Sequence, residues 1–225
     1  MSDSRIVPTF ELEAAEIALG RDPVVGLDEA GCGPWAGPVV AAAVILDPAR
    51  IPSGIDDSKA LDEDDREALF ARICAVARVG IGIADTERID RDNILQARLW
   101  AMAEAYAALG VAAKLAIVDG NKAPVIACPT RTIVKGDAKC LSIAAASIVA
   151  KVTRDRMMVA LGRELPGYGF ERHKGYGTPE HKAALKKLGV TPHHRRSFRP
   201  VQLALGLVVA EGASKPGLAD ALDAV

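Results

Sequence analysis

The chain has 225 residues, half of them apolar and a quarter charged, with a formal net charge of −1. This is ordinary globular usage in a chain long enough to bury a sizeable core, and it excludes a wholly disordered or collagen-like protein. The longest apolar run, Val39 to Leu46, falls well short of the roughly 18 residues of a membrane span, and the start MSDSRIVPTFELEAAEI lacks a basic-then-apolar signal pattern, so a cytoplasmic protein with no membrane partner is expected.

In chain order, Val24 to Leu27 and Val39 to Leu46 are apolar, β-branched stretches that flank a glycine cluster and predict two strands able to pair as a hairpin. A helix is expected over Glu63 to Arg78, capped by Asp62, with Leu69, Ile73, Val76 and Ala77 on one face. Val79 to Ile83 predicts a third strand. Leu95, Leu99, Met102, Tyr106 and Leu109 then recur at helical spacing until Gly110, and are expected to face the core. Leu115 to Val118 and Thr132 to Val134 predict further strands. An Ala-rich helix is expected from about Lys139 to Glu164, and another after Thr178, with Pro179 in its first turn and Gly189 at its end. Strands first, then alternation, then helices predict an α/β protein: a mixed sheet in residues 1–165, a helical C-terminal extension in 166–210 and a mobile tail in 211–225.

Charge is unevenly spread. Lys151 to Arg199 holds twelve Lys/Arg against four Asp/Glu, a local +8 that suits a polyanionic partner such as nucleic acid. Cys32, Cys74, Cys128 and Cys140 contain no C-x-x-C pair, so neither a zinc site nor a disulfide framework is indicated. G-C-G-P-W-A-G places its third glycine one position late for a dinucleotide loop, and two carboxylates immediately before it would repel a pyrophosphate.

Carboxylates recur at the ends of apolar elements. Asp28 and Glu29 close the first apolar run and precede Ala30-Gly31-Cys32-Gly33-Pro34; Asp119 ends LAIVD and precedes Gly120; Asp137 lies in KGDAK, at the entrance to the Ala-rich helix. If these rims coincide, four anionic side chains converge, and an all-oxygen ligand set of high charge suits Mg²⁺ or Mn²⁺. Taken singly, Asp119 also fits a turn former and Asp137 a helix cap. There is no Ser/His/Asp nucleophile motif or Walker loop, and no organic cofactor is called for.

The segments DEAGCGPWAGPVVAAAV (28–44), DDSK (56–59), IVDGN (117–121), KGDAKCLSIAAASIVAKVTRDR (135–156) and HKGYGTPEH (173–181) resemble bacterial ribonuclease HII, the type 2 ribonuclease H, over 176 residues from Val24 to Arg199. With 23 residues before Val24, the extra N-terminal domain of ribonuclease HIII is not expected. The resemblance implies a ribonuclease H-like fold, a five-stranded mixed sheet flanked by helices, with C-terminal helices that help hold nucleic acid. It implies an endoribonuclease that uses two divalent ions to hydrolyse the RNA strand of RNA/DNA hybrids, and that cuts 5′ of single ribonucleotides in duplex DNA to leave 3′-hydroxyl and 5′-phosphate ends, an entry to DNA repair. Asp28, Glu29, Asp119 and Asp137 match the family's catalytic, metal-binding acids. Gly31, Cys32 and Gly33 match the loop that reads a 2′-hydroxyl through its main chain, although its middle residue is commonly Arg. Tyr176 matches a tyrosine that packs on the next deoxyribose, and Lys59, Lys139, Lys151, Arg195 and Arg196 are candidate phosphate contacts. No catalytic role is assigned to His173, His181, His193 or His194. Alternatives are another nuclease or integrase of the same fold, a nucleotide-binding module, or a non-catalytic hybrid-binding protein.

Overall fold

The computed structural model describes residues 7–208. At its centre the apolar runs pair as the sequence suggests. β1 (Val24–Ala30) and β2 (Val39–Ile45) are antiparallel neighbours, with Asp28 opposite Ala42. β3 (Arg78–Ala84) extends the sheet antiparallel to β2, while β4 (Leu115–Asp119) and β5 (Thr130–Ile133) add parallel strands on the other side, giving the order β3-β2-β1-β4-β5. Leu27 pairs with Val118, so the next residues along these parallel strands, Asp28 and Asp119, reach the same rim. The last strand begins two residues before the expected Thr132 and ends at Ile133, leaving Val134 exposed.

Alternation along β2 distributes the core to two faces. Ala41 and Ala43 meet α3 (Thr86–Ala108), whereas Ala42 and Val44 meet α2 (Glu63–Val76) and α4 (Leu141–Glu164). Asp62 caps α2 as expected, accepting from the Asp65 N–H at 2.8 Å, but the helix stops before Arg78, which opens β3. The face of α3 refines the sequence reading. Met102 and Leu109 are buried and Leu99 and Tyr106 pack partly buried against the same core, while the stripe nearest the sheet is Ala97, Ala101, Met102 and Ala105. The reason is proximity: a Cβ on Gly80 or Gly82 of β3 would overlap the carbonyl oxygens of Ala105 or Ala101, so helix and strand meet backbone to backbone and larger side chains are pushed aside. This helix is also interrupted at Asn93 (φ 67°, ψ 164°), whose Oδ1 accepts from the N–H groups of Leu95 and Gln96 and recaps the second segment.

A short helix absent from the sequence reading, α1 (Glu11–Ala18), buries Glu13, which accepts from Ser142 N–H at 2.8 Å and from its hydroxyl at 2.7 Å. It thereby anchors the start of α4, which begins at Leu141 rather than Lys139 because a 3₁₀ turn, Gly136–Ala138, intervenes. After α4 come α5 (Phe170–His173), α6 (Pro179–Leu188) and α7 (Arg199–Ala204); Thr178 caps α6 and Gly189 follows it, as anticipated. Among the described residues no helix is long and apolar enough to cross a membrane. The tail from 211 lies outside the described residues.

Candidate active site

Asp28 is buried at the rim of β1, and its Oδ1 accepts the Glu29 N–H at 2.7 Å. Burial, then the charges of Glu29, Asp119 and Asp137, push its carboxyl well above the usual carboxylate range, so Asp28 has the other three acids as electrostatic neighbours. Asp119 Oδ1 accepts from the Gly136 N–H at 2.7 Å, tying the end of β4 to the turn that carries Asp137. Burial also raises Glu29, with the Arg98 guanidinium pulling it back from 2.9 Å. Lys59 Nζ lies 3.0 Å from Asp137 Oδ2. The cluster is therefore partly neutralised from within by two cations.

Among the described residues no group of three or more His, Cys, Asp or Glu side chains is drawn up as a ready-made metal cage. Lys59 and Arg98 each claim an oxygen of the cluster instead. The donor chemistry nonetheless fits a hard divalent cation: four carboxylates, all oxygen, with Glu29 Oε2 buried and without a hydrogen-bond partner and Asp28 raised by its like-charged neighbours.

Three of these acids, Asp28, Glu29 and Asp119, line a cleft of about 300 Å³ together with the loop Gly31–Gly33, Ser58, Lys59, Ser147, Lys151, Arg154 and Tyr176; Asp137 stands behind it, paired with Lys59. Gly31 has φ +98°, and a Cβ there would overlap the Arg154 side chain, so glycine is needed on both counts. Behind the loop sits Arg195. It is fully buried, and it donates from Nε to the Gly37 carbonyl (3.0 Å), from Nη1 to Cys32 (3.0 Å) and from Nη2 to Gly31 (2.6 Å) and Pro38 (3.2 Å). The expectation that Arg195 contacts phosphate is thus corrected: its donors are spent on main-chain carbonyls and it has no exposed face. Arg154 adds bonds to the carbonyls of Pro38 (2.9 Å) and Ala36 (3.2 Å). Burial, then the nearby Arg154 charge, brings Arg195 down to about 9.

This clamp sets the loop's orientation. In a trans peptide the C=O and N–H point opposite ways, and here the only cis bond among the described residues is Asp22–Pro23. With the carbonyls of Gly31 and Cys32 turned to Arg195, the N–H groups of Cys32 and Gly33 point away from it. Cys32 itself is half-buried, its thiol 3.5 Å from Glu29 Oε1, and burial followed by the Glu29 charge pushes it up to about 12, so it stays a thiol.

Tyr176 is half-exposed beside the loop, where a Cβ on Gly33 would lie 3.6 Å from its ring. Lys151 lines the cleft while paired with Asp155. Lys139 and Arg196 are exposed outside that lining, Lys139 donating to the Val134 carbonyl at 2.7 Å and the Arg196 main chain to Asp90 at 2.9 Å. Sequence reasoning missed Arg98 and Arg154. Nothing in one sequence marks which arginine on a helix turns inward, although Arg154 does lie within the KVTRDR motif.

A five-stranded mixed sheet with carboxylates at the rim of two adjacent central strands is the ribonuclease H-like architecture, and it places this protein in that structural class. Comparisons narrow the class. A profile of ribonuclease HII matches residues 25–201. Ribonuclease HII of Azorhizobium caulinodans is 59% identical over 194 residues, covering 86% of this chain and 75% of the relative; that of Xanthobacter autotrophicus is 58% identical over 204 residues, covering 90% and 82%. The crystal structure of ribonuclease H2 from Pyrococcus horikoshii OT3 matches with a TM-score of 0.70 at 26% identity, covering 82% of this chain and 97% of that one. The structure of the PCNA:RNase HII complex from Archaeoglobus fulgidus gives 0.68 at 27%, covering 80% and 96%. Bst-RNase HIII in complex with Mn²⁺ gives 0.68 at 19%, covering 86% and 72%, a likeness of fold. The chain belongs to the ribonuclease HII family and is a ribonuclease H-type hydrolase, an endoribonuclease acting on the RNA of RNA/DNA hybrids.

Proposed function

We propose that this enzyme is divalent-metal-dependent and cuts on the 5′ side of single ribonucleotides embedded in duplex DNA as well as within hybrids, opening their removal from DNA in the cytoplasm. The observation that carries the reading is the cleft itself: an acid cluster with a buried, unpartnered carboxylate oxygen faces a glycine loop whose peptide N–H groups are turned away from its buried clamp.

Asp28, Glu29, Asp119 and Asp137 would hold the metal, Mg²⁺ or Mn²⁺ and as a pair. Bound there, it supplies Lewis-acid stabilisation of the charge that develops on the attacking and leaving oxygens. A water oxygen attacks phosphorus in line with the 3′ oxygen of the preceding nucleotide. The P–O3′ bond breaks, the 3′ oxygen takes up a proton, and the ribonucleotide keeps the phosphate. Lys59 and Arg98 pair with Asp137 and Glu29 in the free enzyme and offset part of the cluster's negative charge before metal arrives.

Gly31 and Gly33, without side chains, let the Cys32 and Gly33 N–H groups approach a sugar closely enough to meet a 2′-hydroxyl, the group that separates RNA from DNA. Tyr176 packs on the following deoxyribose, so loop and ring together read an RNA-to-DNA junction. Lys151, with Lys139 and Arg196 further out, positions the duplex by its phosphates without reading bases. In this division residues 1–165 cleave, and the extension 166–210 contributes to holding the duplex through Tyr176 and Arg196.

The test is cleavage of a DNA duplex bearing one ribonucleotide, in Mg²⁺, Mn²⁺ or EDTA, against all-DNA and RNA/DNA controls. Incision 5′ of the ribonucleotide that disappears in EDTA is expected. A rate on that duplex no greater than on all-DNA would sink the reading.

A further inference from the structure

The histidines that the sequence offers without a role gather in one buried place. His173, His181 and His194 are all buried. His173 stacks on His181 with centroids 4.7 Å apart, and the rings of Phe170, Tyr168 and Trp35 close around them. Their hydrogen bonds run in a definite direction. Thr191 N–H donates to His194 Nδ1 at 3.0 Å, so the ring proton of neutral His194 is on Nε2. That Nε2 lies 3.0 Å from His181 Nε2, which must accept, leaving the proton of His181 on Nδ1. From there it donates to the Tyr176 carbonyl at 3.0 Å. The same carbonyl accepts the Thr178 N–H at 2.8 Å, and Thr178 Oγ1 in turn caps the His181 N–H. His173 donates from Nε2 to the Tyr168 carbonyl (2.7 Å) and accepts the Gly175 N–H on Nδ1 (3.2 Å). The main chain is thus held immediately before Tyr176 and at its own carbonyl.

We propose that His181 and His194 are positioning residues for Tyr176: a relay of neutral imidazoles, started by Thr191 and ended on the Tyr176 carbonyl, that fixes where the tyrosine ring stands at the mouth of the cleft. The relay works only uncharged, since a second proton on either ring would set N–H against N–H at the Nε2 contact or against the Thr191 donor. Its surroundings agree. His173 and Tyr168 face the pair, His193 adjoins His194, and the flanking Lys182 and Arg195 are cations; the flanking carboxylate, Glu180, is engaged by Arg172. Burial, then His181, holds His194 down to about 4, and burial likewise lowers His181. The inference rests on the reading of Tyr176 as the sugar-packing ring, and it adds residues that do not touch substrate but decide how that ring is presented.

The test compares cleavage of duplex DNA bearing one ribonucleotide with cleavage of a long RNA/DNA hybrid, in the full chain. Tyr176→Ala is expected to lower the single-ribonucleotide rate relative to the hybrid rate, and His181→Ala to lower the same ratio by about tenfold. His181→Asn, which keeps an N–H where Nδ1 stood, should restore most of it. The double variant His181→Ala/Tyr176→Ala should be no worse than Tyr176→Ala alone, because both act through one ring. Ring ¹⁵N spectra at pH 7 should place protons on Nδ1 of His181 and on Nε2 of His173 and His194. Should His181→Ala not fold, His194→Leu against His194→Gln, which retains a donor at the far end, asks the same question. Additive losses, no rescue, or the opposite tautomer at His181 would overturn the relay. If Tyr176→Ala shifts the ratio and His181→Ala does not, the relay alone falls; if Tyr176→Ala leaves it unchanged, the tyrosine reading falls and takes the relay with it.

Discussion

The two walls of the cleft differ in how their functional side chains are partnered. On the acid side, Glu29 Oε2 and the Nε of Arg98, reaching in from α3, are buried without partners, and Asp28 is pressed by three like charges. On the helical side, Arg195 is spent on four carbonyls, Arg154 shares that of Pro38 and adds that of Ala36, and the histidine relay satisfies each of its ring nitrogens. An unpartnered polar atom in a folded interior is costly, and in a cleft it is open to a ligand; a fully partnered one holds geometry. The acid wall is built to receive and the helical wall to hold still.

Neutralising the receiving wall should have the largest effect. Asp28→Asn or Asp137→Asn is expected to cut the rate on a single-ribonucleotide duplex by a hundredfold or more, on the order seen when one preorganised charge-stabilising group is lost, with the circular dichroism spectrum unchanged. Asp28→Asn should also raise the urea midpoint, because it removes a repelled buried charge. A variant with full turnover would break the contrast outright.

Disturbing the holding wall should instead cost stability first. Arg195→Ala strips the carbonyls of Gly31, Cys32 and Gly37 of their shared donor, leaving Pro38 only its bond from Arg154, and is expected to lose about 2–4 kcal/mol in urea unfolding. Arg195→Lys should recover little, since an ammonium cannot span four carbonyls as a planar guanidinium does. Unchanged stability in Arg195→Ala would show that the loop holds itself.

Acid sharpens the comparison further. His194 titrates near 4 when folded but near 6.5 when unfolded, so the unfolded chain binds the proton first. Its contribution is complete above about pH 6.5 and is lost as pH falls toward 4. Urea midpoints of His194→Gln measured at intervals between pH 7 and 4 should therefore decline less than those of the wild type. The smallest expected effect is that of Cys32→Arg. An added cation at the loop should lower KM a few-fold at low salt, with the gain vanishing at high salt. A salt-independent change would place that side chain away from the phosphates.

The sequence carried the rims and withheld the interiors. Unbroken apolar runs ending in Asp28 and Asp119 are visible as letters because strands buried on both faces need them, and parallel pairing of β1 with β4 then brings the two acids together. Asp62, Thr178 and Gly189 likewise mark helix ends by local chemistry. What escaped depends on distance between elements. The Ala stripe of α3 reflects how near β3 comes, α1 starts from Phe10 without any side-chain cap, and Arg195 looks like any surface cation until the carbonyls it serves are in view.

The hydrogen bond from the Gly136 N–H to Asp119 has a consequence for how the chain could be rebuilt. With the β4–β5 pairing and the Gly120 N–H bond to the Ile133 carbonyl, it fastens both ends of the excursion that begins after β4, so the almost wholly exposed tip at Val125 is not what keeps Asp119 beside the turn that bears Asp137. New sequence, a tag or a pair of relocated termini introduced there would lengthen a tether already fastened at both ends, and the spacing of the two carboxylates would not register the change.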